Sequence, residues 1–236
     1  PDALQSIGAS AFYGCTALTS VEFGPDSNLR TIGNTAFQLT AFTTIDLPAN
    51  LEVIGHTAFR DTALTSFVIP DSVVSVGQNA LYSANDLVSI VFGDGVPQVP
   101  GRICQFCSSL TSVTLGSSIS SIGHQAFANS PLGAVSLPDS VATIEARAFE
   151  NNGLLESVDM GRGVRTIGAS AFIGTKLSTV VFPIVDITSA ALPKPSTFTI
   201  SSTLIPIDRT ASAIASTPLV APLPDIGALK LHPITL

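Results

Sequence analysis

Several kinds of residue are scarce in this chain of 236 residues, and their scarcity narrows its possible functions. Tryptophan is absent, methionine occurs once, and charged residues make up only 11% of the chain. Although 45% of the residues are hydrophobic, no apolar run approaches the roughly 18 residues that a membrane-spanning helix needs. The sequence therefore predicts no transmembrane helix. Its single methionine is Met160 and its first residue is Pro1, so we expect the native N-terminus, and any signal peptide with it, to be missing.

Basic residues are also few. Lys and Arg number 10 against 17 Asp and Glu, which gives a net charge of -7. Residues 1–183 contain 7 basic and 14 acidic residues, so the whole excess lies there. Nucleic acids are bound by clustered basic faces, which this chain lacks, and we predict no nucleic-acid partner. The three cysteines are too few for a disulfide-dense secreted scaffold and leave the redox compartment open.

A six-residue segment of the form Ile-Gly-x-x-Ala-Phe, here called the anchor, recurs between Ile7 and Phe172. The anchors span residues 7–12, 32–37, 54–59, 76–81, 99–104, 122–127, 144–149 and 167–172. Their last residues are 22 to 25 positions apart, and so regular a period indicates a solenoid. The fifth copy, Val99 to Cys104, departs from the pattern and predicts a local irregularity. A single repeat cannot bury enough apolar surface to fold alone, so neighbouring repeats must stack.

The stretch from Leu110 to Phe127 shows the plan of one repeat. Val113 and Leu115 fall at alternating positions, which predicts a short strand with one buried side. A turn rich in Gly, Pro, Asp and Ser follows in most repeats, and then a return arm through Ile119 and Ile122. The Ala and Phe that end the anchor come four and five residues after its Ile. That spacing, behind a Gly, predicts one turn of helix with the Phe pointing inward.

The combined pattern LTSVxLPxSVxxIGxxAFxxC resembles that of the BspA-type leucine-rich repeat family. The stretches 15–23, 107–127 and 134–149 carry it, and the resemblance covers about Leu4 to Phe182. It implies a leucine-rich-repeat solenoid of the α/β repeat class, dominated by β structure: a curved stack with one parallel sheet on the concave side. Short helical turns or extended arms are expected on the outer side. The family also implies surface proteins of bacteria and unicellular eukaryotes that bind proteins and attach to host or neighbouring cells.

Two positions in each predicted strand point away from the core, and together they are expected to form the concave face. The first is Ser20, Thr44, Ser66, Ser89, Ser112, Ala134, Ser157 and Thr179, and the second is Glu22, Asp46, Val68, Val91, Thr114, Ser136, Asp159 and Val181. This surface is small, rich in hydroxyl groups and weakly acidic, without the Trp, Tyr or Arg that anchor strong binding sites. We interpret it as the candidate binding face, although it is equally typical of a plain soluble sheet surface.

No catalytic or metal-binding constellation stands out. Cys104 and Cys107 form a Cys-x-x-Cys pair, but Cys104 takes the place of the anchor Phe, which favours buried structural thiols over a redox or zinc site. His56 and His124 each follow an anchor Gly, three repeats and so about 14 Å apart, too far to share a metal ion. We interpret both as solvated turn residues. With His232 beyond the repeats, no catalytic triad is visible, and we predict no enzyme activity, cofactor or metal.

Two regions are predicted: the solenoid over residues 1–183 and a non-repeat tail over 184–236. From Pro183 onward the chain has eight of its 16 prolines, so we expect a poorly ordered tail, with a capping role for its first residues as the alternative. We expect the solenoid to be a protein-interaction or adhesion module, at the cell surface or secreted, with a protein partner and no small-molecule substrate. The alternative is a structural spacer within a longer repeat array that recognises its partner elsewhere.

Overall fold

The computed structural model of the chain describes residues 3–183 and 199–200. These residues form a β-solenoid in which each repeat makes one rung and the strands pair in parallel. One column of strands, here called the strand face, comprises β4 (Ser66–Ile69), β6 (Ser89–Phe92), β7 (Ser112–Thr114), β9 (Ala134–Ser136), β11 (Ser157–Asp159) and β13 (Thr179–Val181). A second column, the return arm, comprises β1 (Ser6–Ile7), β2 (Thr31–Ile32), β3 (Val53–Ile54), β5 (Ser75–Val76), β8 (Ser121–Ile122), β10 (Thr143–Ile144), β12 (Thr166–Ile167) and β14 (Thr199–Ile200). The core lies between the two columns.

The predicted single sheet is wrong, because the strands divide into four sheets. The strand face consists of two three-stranded sheets, β4-β6-β7 and β9-β11-β13, and the return arm of two four-stranded sheets. The strand face is interrupted between β7 and β9. Pro131 and Gly133 precede β9, and neither residue favours continuous hydrogen bonding between strands. Within the described ranges, the first two repeats contribute no strand to this face, so Ser20 and Thr44 lie on irregular backbone.

The irregularity predicted at the fifth anchor is present, and two prolines account for it. In other repeats the anchor Gly donates its N–H to the preceding rung, as Gly77 does to the carbonyl of Ile54 at 2.8 Å. Pro100 stands at that position in the fifth repeat and has no N–H to donate. Pro97, three residues earlier, also lacks an N–H, whereas the corresponding Val74 of the fourth repeat donates its N–H to the carbonyl of Glu52 at 2.9 Å. The return arm therefore breaks after β5 and continues only through an isolated bridge at Val99 before β8 begins.

The helical turn predicted at the end of each anchor is wrong, because this segment is an irregular turn. Two residues per repeat have positive φ. One lies two residues before the last anchor residue and the other two residues after it, as Thr35 (55°) and Leu39 (64°) do on either side of Phe37. An α-helix needs a run of negative φ. The N–H of Phe37 points along the solenoid and donates to the carbonyl of Ala58 in the next rung at 2.8 Å. Bonds between rungs thus replace the bonds within a helix.

The anchor phenylalanines stack along the solenoid and form the centre of its core. The rings of Phe37 and Phe59 are 5.5 Å apart, and those of Phe127 and Phe149 are 5.6 Å apart, with the ring planes close to parallel in both pairs. Such offset stacks are favourable for aromatic rings in addition to the area that they bury. The fourth and fifth repeats replace the aromatic ring with a leucine and a cysteine, which are also fully buried.

Side chains that form hydrogen bonds line the core beside the phenylalanines, three residues after most anchors; Ala84 in the fourth repeat is an exception. The hydroxyls of Thr40 and Thr62 donate to the carbonyls of their own anchor phenylalanines at 2.7 and 2.9 Å. Asn152 reaches the preceding rung, where its Nδ2 donates to the carbonyl of Phe127 at 2.8 Å. These bonds satisfy carbonyl groups that are shielded from water, which is the general condition for burying them.

Close stacking of the rungs depends on the anchor glycines. A Cβ added to Gly33 would lie 2.6 Å from the backbone nitrogen of Ala9, and one added to Gly55 would lie 2.5 Å from that of Asn34. Both contacts are with backbone atoms that the stacking itself holds in place. A residue without a side chain therefore lets neighbouring rungs approach each other at this point.

The tail predicted over 184–236 lies outside the described residues except for Thr199–Ile200. This pair forms β14, which lies parallel to β12 with Thr199 opposite Thr166 and Ile200 opposite Ile167. One segment beyond the repeats thus extends the return arm by a strand. No helix long and apolar enough to cross a membrane occurs in the described part of the chain.

Candidate functional site

The candidate face consists of the two outward positions of each strand, and the parallel register aligns them into columns. Ser66, Ser89 and Ser112 are partners in adjacent strands, and so are Ser157 and Thr179. Because paired strands lie about 4.8 Å apart, each column presents one side chain per rung at that interval. The structure brings the predicted residues of repeats three to five together in one sheet, and those of repeats six to eight in another.

Burial along the strands alternates as expected for one buried side. In β4 the side chains of Ser66 and Val68 are exposed, whereas those of Phe67 and Ile69 are buried. All sixteen outward positions that the sequence singled out are exposed or half-buried. The accessibility of the face is therefore as predicted, and its use in binding stays a prediction.

The outward positions of this face carry acidic and apolar side chains among its hydroxyl groups. Glu22 and Asp46 lie in the first two repeats and Asp159 in the seventh, and all three are exposed. The carboxylate of Asp159 is oriented by the N–H of Gly161, which donates to its Oδ1 at 3.2 Å. Val68 in the third repeat is 57% exposed, and Val181, the strand partner of Asp159, is 44% exposed. The face thus combines three exposed carboxylates with exposed apolar side chains.

The Cys-x-x-Cys pair consists of buried structural thiols, as the sequence predicted. Cys104 and Cys107 are buried and form no disulfide, and the Sγ of Cys107 donates to the carbonyl of Leu81 at 3.2 Å. Burial raises the pKa of the Cys104 thiol well above its ordinary value, and the neighbouring Cys107 raises it further. A protonated thiol is a poor nucleophile, so this shift disfavours redox exchange at Cys104.

We expect only one of the three thiols to react quickly with iodoacetamide in the native protein at pH 8. Cys15 is exposed, whereas Cys104 and Cys107 are buried. Peptide mass spectrometry after brief labelling should find the adduct on Cys15 alone, and on all three cysteines after unfolding in guanidinium. A native protein that is labelled at Cys104 as fast as at Cys15 would contradict the structural role assigned to the pair.

The two repeat histidines occupy turns. His56 is exposed, and His124 is half-buried, with its backbone N–H donating to Oε2 of Glu145 at 2.8 Å. Over residues 3–183, no three side chains of the His, Cys, Asp or Glu type are grouped so that they could hold a metal ion. Neither histidine belongs to the candidate face.

A second surface, which the sequence pattern did not predict, lies at the turn that follows each anchor. The guanidinium carbon of Arg60 lies 4.8 Å from the centroid of the Tyr82 ring, and Phe106 meets the same ring edge-on with centroids 5.6 Å apart. Phe106 is 41% exposed. Aromatic residues and arginine are enriched in binding hot spots, and the outward positions of the strand face have neither. The available signal was that some repeats carry a large residue one or two positions after the end of the anchor.

Comparisons with known proteins support the same architecture. A family model described as the BspA type leucine-rich repeat region matches residues 1–104 and 82–199, with six copies. No curated protein matches the chain. A solved leucine-rich repeat protein from Bacteroides ovatus is 21% identical over 76% of this chain and 70% of its own, with a TM-score of 0.51, and shares the fold. A leucine-rich cell surface protein from Faecalibacterium prausnitzii is 18% identical over 79% of this chain and 78% of its own, with a TM-score of 0.43. The pneumococcal vaccine antigen PcpA is 23% identical over 76% of this chain and 60% of its own, with a TM-score of 0.41.

Proposed function

The chain belongs to the BspA-type leucine-rich repeat family, and we propose that it is a non-catalytic module that binds a protein at a cell surface through its strand face. The observation that carries this proposal is the register of the strands, which aligns outward side chains such as Ser66, Ser89 and Ser112 at fixed intervals. A rigid array of this kind can be complementary to a partner without reorganising when it binds.

The composition of the strand face suits a protein partner. The apolar side chains of Val68 and Val91 lie among hydroxyl groups, and the carboxylates of Glu22, Asp46 and Asp159 lie on the same face. Protein interfaces commonly have an apolar centre and a polar rim. Hydroxyl groups both donate and accept hydrogen bonds. The family resemblance implies that the module attaches to a host or neighbouring cell.

Reversing the charge of the face is expected to reduce this binding. We propose to coat fluorescent beads with the full chain, measure their binding to cultured epithelial cells, and compare the variant Glu22→Lys/Asp46→Lys/Asp159→Lys. Binding should fall by at least about tenfold, because charges at the rim of an interface govern association. Treating the cells with trypsin beforehand should abolish binding of the unchanged chain if the partner is a protein.

A matched control separates the face from net charge. The variant Asp26→Lys/Asp94→Lys/Glu145→Lys makes the same change in net charge at exposed positions outside the strands. Because Asp94 and Glu145 accept backbone N–H groups of Ser117 and His124, circular dichroism first verifies that this variant is folded. It should then bind cells as the unchanged chain does. Equal losses in both variants would show that the net charge of the chain, and not the strand face, governs binding. Full binding by the face variant would remove the acidic strand face from the proposal. Beads that bind no better than beads coated with an unrelated protein would favour a structural spacer.

A further inference from the structure

A column of side chains follows the turn edge of the solenoid and is separate from the strand face. It contains the second residue after each anchor, and in the second to fifth repeats these residues are Leu39, Asp61, Ser83 and Phe106. The rungs that carry them are hydrogen-bonded at this point. The N–H of Leu39 donates to the carbonyl of Arg60 at 3.0 Å, and those of Asp61 and Ser83 donate in the same way to the rungs that follow. The column is therefore continuous over four rungs.

Two members of this column are unfavourable choices for their backbone conformation. Leu39 and Phe106 both have a φ of 64°, in the left-handed region that large side chains rarely adopt. Other repeats place Gly14, Asn129 or Asn151 there, which suit the conformation. Leu39 and Phe106 are nevertheless 37% and 41% exposed, so the core gains little from them. Their side chains disfavour the fold locally and face outwards.

A shallow groove of about 370 Å³ runs beside the column. The small side chains of Ala41 and Ala63 line it together with Leu39 and Asp61. Asp86 also lines the groove and is exposed. Phe106 lies one rung beyond Ser83, outside the residues that line the groove, and packs against the Tyr82 ring that Arg60 also contacts. The column thus has a large apolar side chain at each end, Leu39 and Phe106, and carboxylates between them.

We propose that this turn edge binds an extended segment of a partner protein with the pattern apolar-x-basic-x-apolar. The apolar side chains of the segment pack against Leu39 at one end and Phe106 at the other. Its Lys or Arg faces Asp61 and Asp86 between them. This interaction goes beyond the proposed binding through the strand face, since it uses a different surface of the same repeats.

The spacing of the pattern follows from the geometry of the rungs. Three rung steps separate Leu39 from Phe106, which corresponds to about 14 Å at the usual separation of paired strands. An extended chain advances about 3.3 Å per residue, so four residues cover this distance. Side chains two residues apart in an extended chain point to the same side. Positions one, three and five of a segment that lies along the edge therefore all face the solenoid.

The charge of the repeats favours a basic residue at the central position. Residues 1–183 hold 14 acidic against 7 basic residues, so the solenoid as a whole attracts cations. At the groove itself, Arg60 already pairs with Asp61, Nε to Oδ2, at 3.0 Å. Asp86 adds a second carboxylate, which leaves the groove with an excess of negative charge.

The test uses a defined peptide and the full chain. The probe is the fluorescein-labelled peptide Gly-Leu-Ser-Lys-Ser-Leu-Gly, and its binding is measured by fluorescence anisotropy. We expect saturable binding that weakens at least about tenfold when glutamate replaces the peptide lysine, because rim carboxylates repel it. The double variant Leu39→Asn/Phe106→Asn should also bind at least about tenfold more weakly, because the apolar contacts are lost. Asparagine suits positive φ, so this variant is expected to keep its fold, as circular dichroism will verify.

A control on the other surface makes the outcome specific. Val68→Ser/Val91→Ser on the strand face leaves the net charge unchanged and should bind the peptide as the unchanged chain does. Failure of the peptide to bind, or equal binding by the double variant, would overturn the inference while leaving the strand-face proposal standing. Self-association of the unchanged chain in sedimentation velocity that the double variant loses would assign the edge to a second copy, which also overturns it.

Discussion

Replacing Phe59 with alanine is expected to lower the free energy of unfolding by about 4 kcal/mol. The ring is fully buried and lies 5.5 Å from Phe37, 4.9 Å from Phe67 and 6.3 Å from Phe42, centroid to centroid. Truncation removes these contacts and leaves a cavity that the surrounding rungs cannot fill, because their backbones are bonded to one another. Urea denaturation followed by circular dichroism measures the loss as a lower midpoint at an unchanged slope.

Two further variants show whether the loss comes from the stack. Phe59→Leu should cost less than about 1.5 kcal/mol, because it keeps most of the volume and Leu81 fills the corresponding position in the fourth repeat. Phe12→Ala removes the same ring at the first rung, where Phe12 is 39% exposed, and should cost less than Phe59→Ala. Equal losses for Phe12→Ala and Phe59→Ala would mean that burial in the stack is not what makes Phe59 important.

The sequence was enough to predict the solenoid, because most residues of each repeat are constrained by stacking. Ile32 and Ile54 recur at a fixed period because they are partners in adjacent strands of the return arm, and the anchor Phe recurs because its ring stacks on the next one. Residues that repeat the same contact in every rung must repeat in the sequence. The strand face could be predicted for the same reason, since its alternation follows from the buried side of each strand.

The turn after the Gly was mispredicted because side-chain spacing does not distinguish a helix from this turn. Ala36 and Phe37 are buried and come four and five residues after the buried Ile32, a spacing that also suits one turn of helix. The difference lies in the backbone, where Thr35 and Leu39 have positive φ. Glycine or asparagine signals that conformation, and four repeats carry one at the second position, as Gly14 and Asn129 show. Leucine and threonine give no such signal, so the repeats disagree with one another and the inward spacing alone favoured a helix.

The turn edge escaped prediction because its large residues do not recur in every repeat. Tyr82, Phe106 and Arg60 come from the fourth, fifth and third repeats and occupy two different positions after the anchor. Only the lateral stacking of rungs places the three side chains in one cluster. The features of the scaffold are periodic and can be read from one repeat, whereas a surface built from exceptions to the period requires the three-dimensional register.

Replacing Asn152 with alanine is expected to lower the free energy of unfolding by about 3 kcal/mol. The side chain is fully buried, its Nδ2 donates to the carbonyl of Phe127 at 2.8 Å, and its Oδ1 accepts the N–H of Leu132 at 3.4 Å. Alanine leaves both backbone groups without these partners inside the core, and each buried polar group that loses its partner costs about 1–3 kcal/mol. The cavity left by the amide adds to the loss.

Aspartate and a neighbouring asparagine test the hydrogen-bond explanation separately from volume. Asn152→Asp keeps the shape but turns the donor that faces the Phe127 carbonyl into an acceptor and buries a charge, so at pH 7 it should destabilise at least as much as alanine. Asn151→Gly alters an exposed residue whose positive φ of 56° suits glycine. It removes a bond from its Nδ2 to Oδ1 of Asn129 at 3.1 Å that water can replace, so it should cost less than about 1 kcal/mol. If Asn152→Asp were as stable as the unchanged chain in urea denaturation, the amide would be filling space rather than bonding the sixth rung to the seventh.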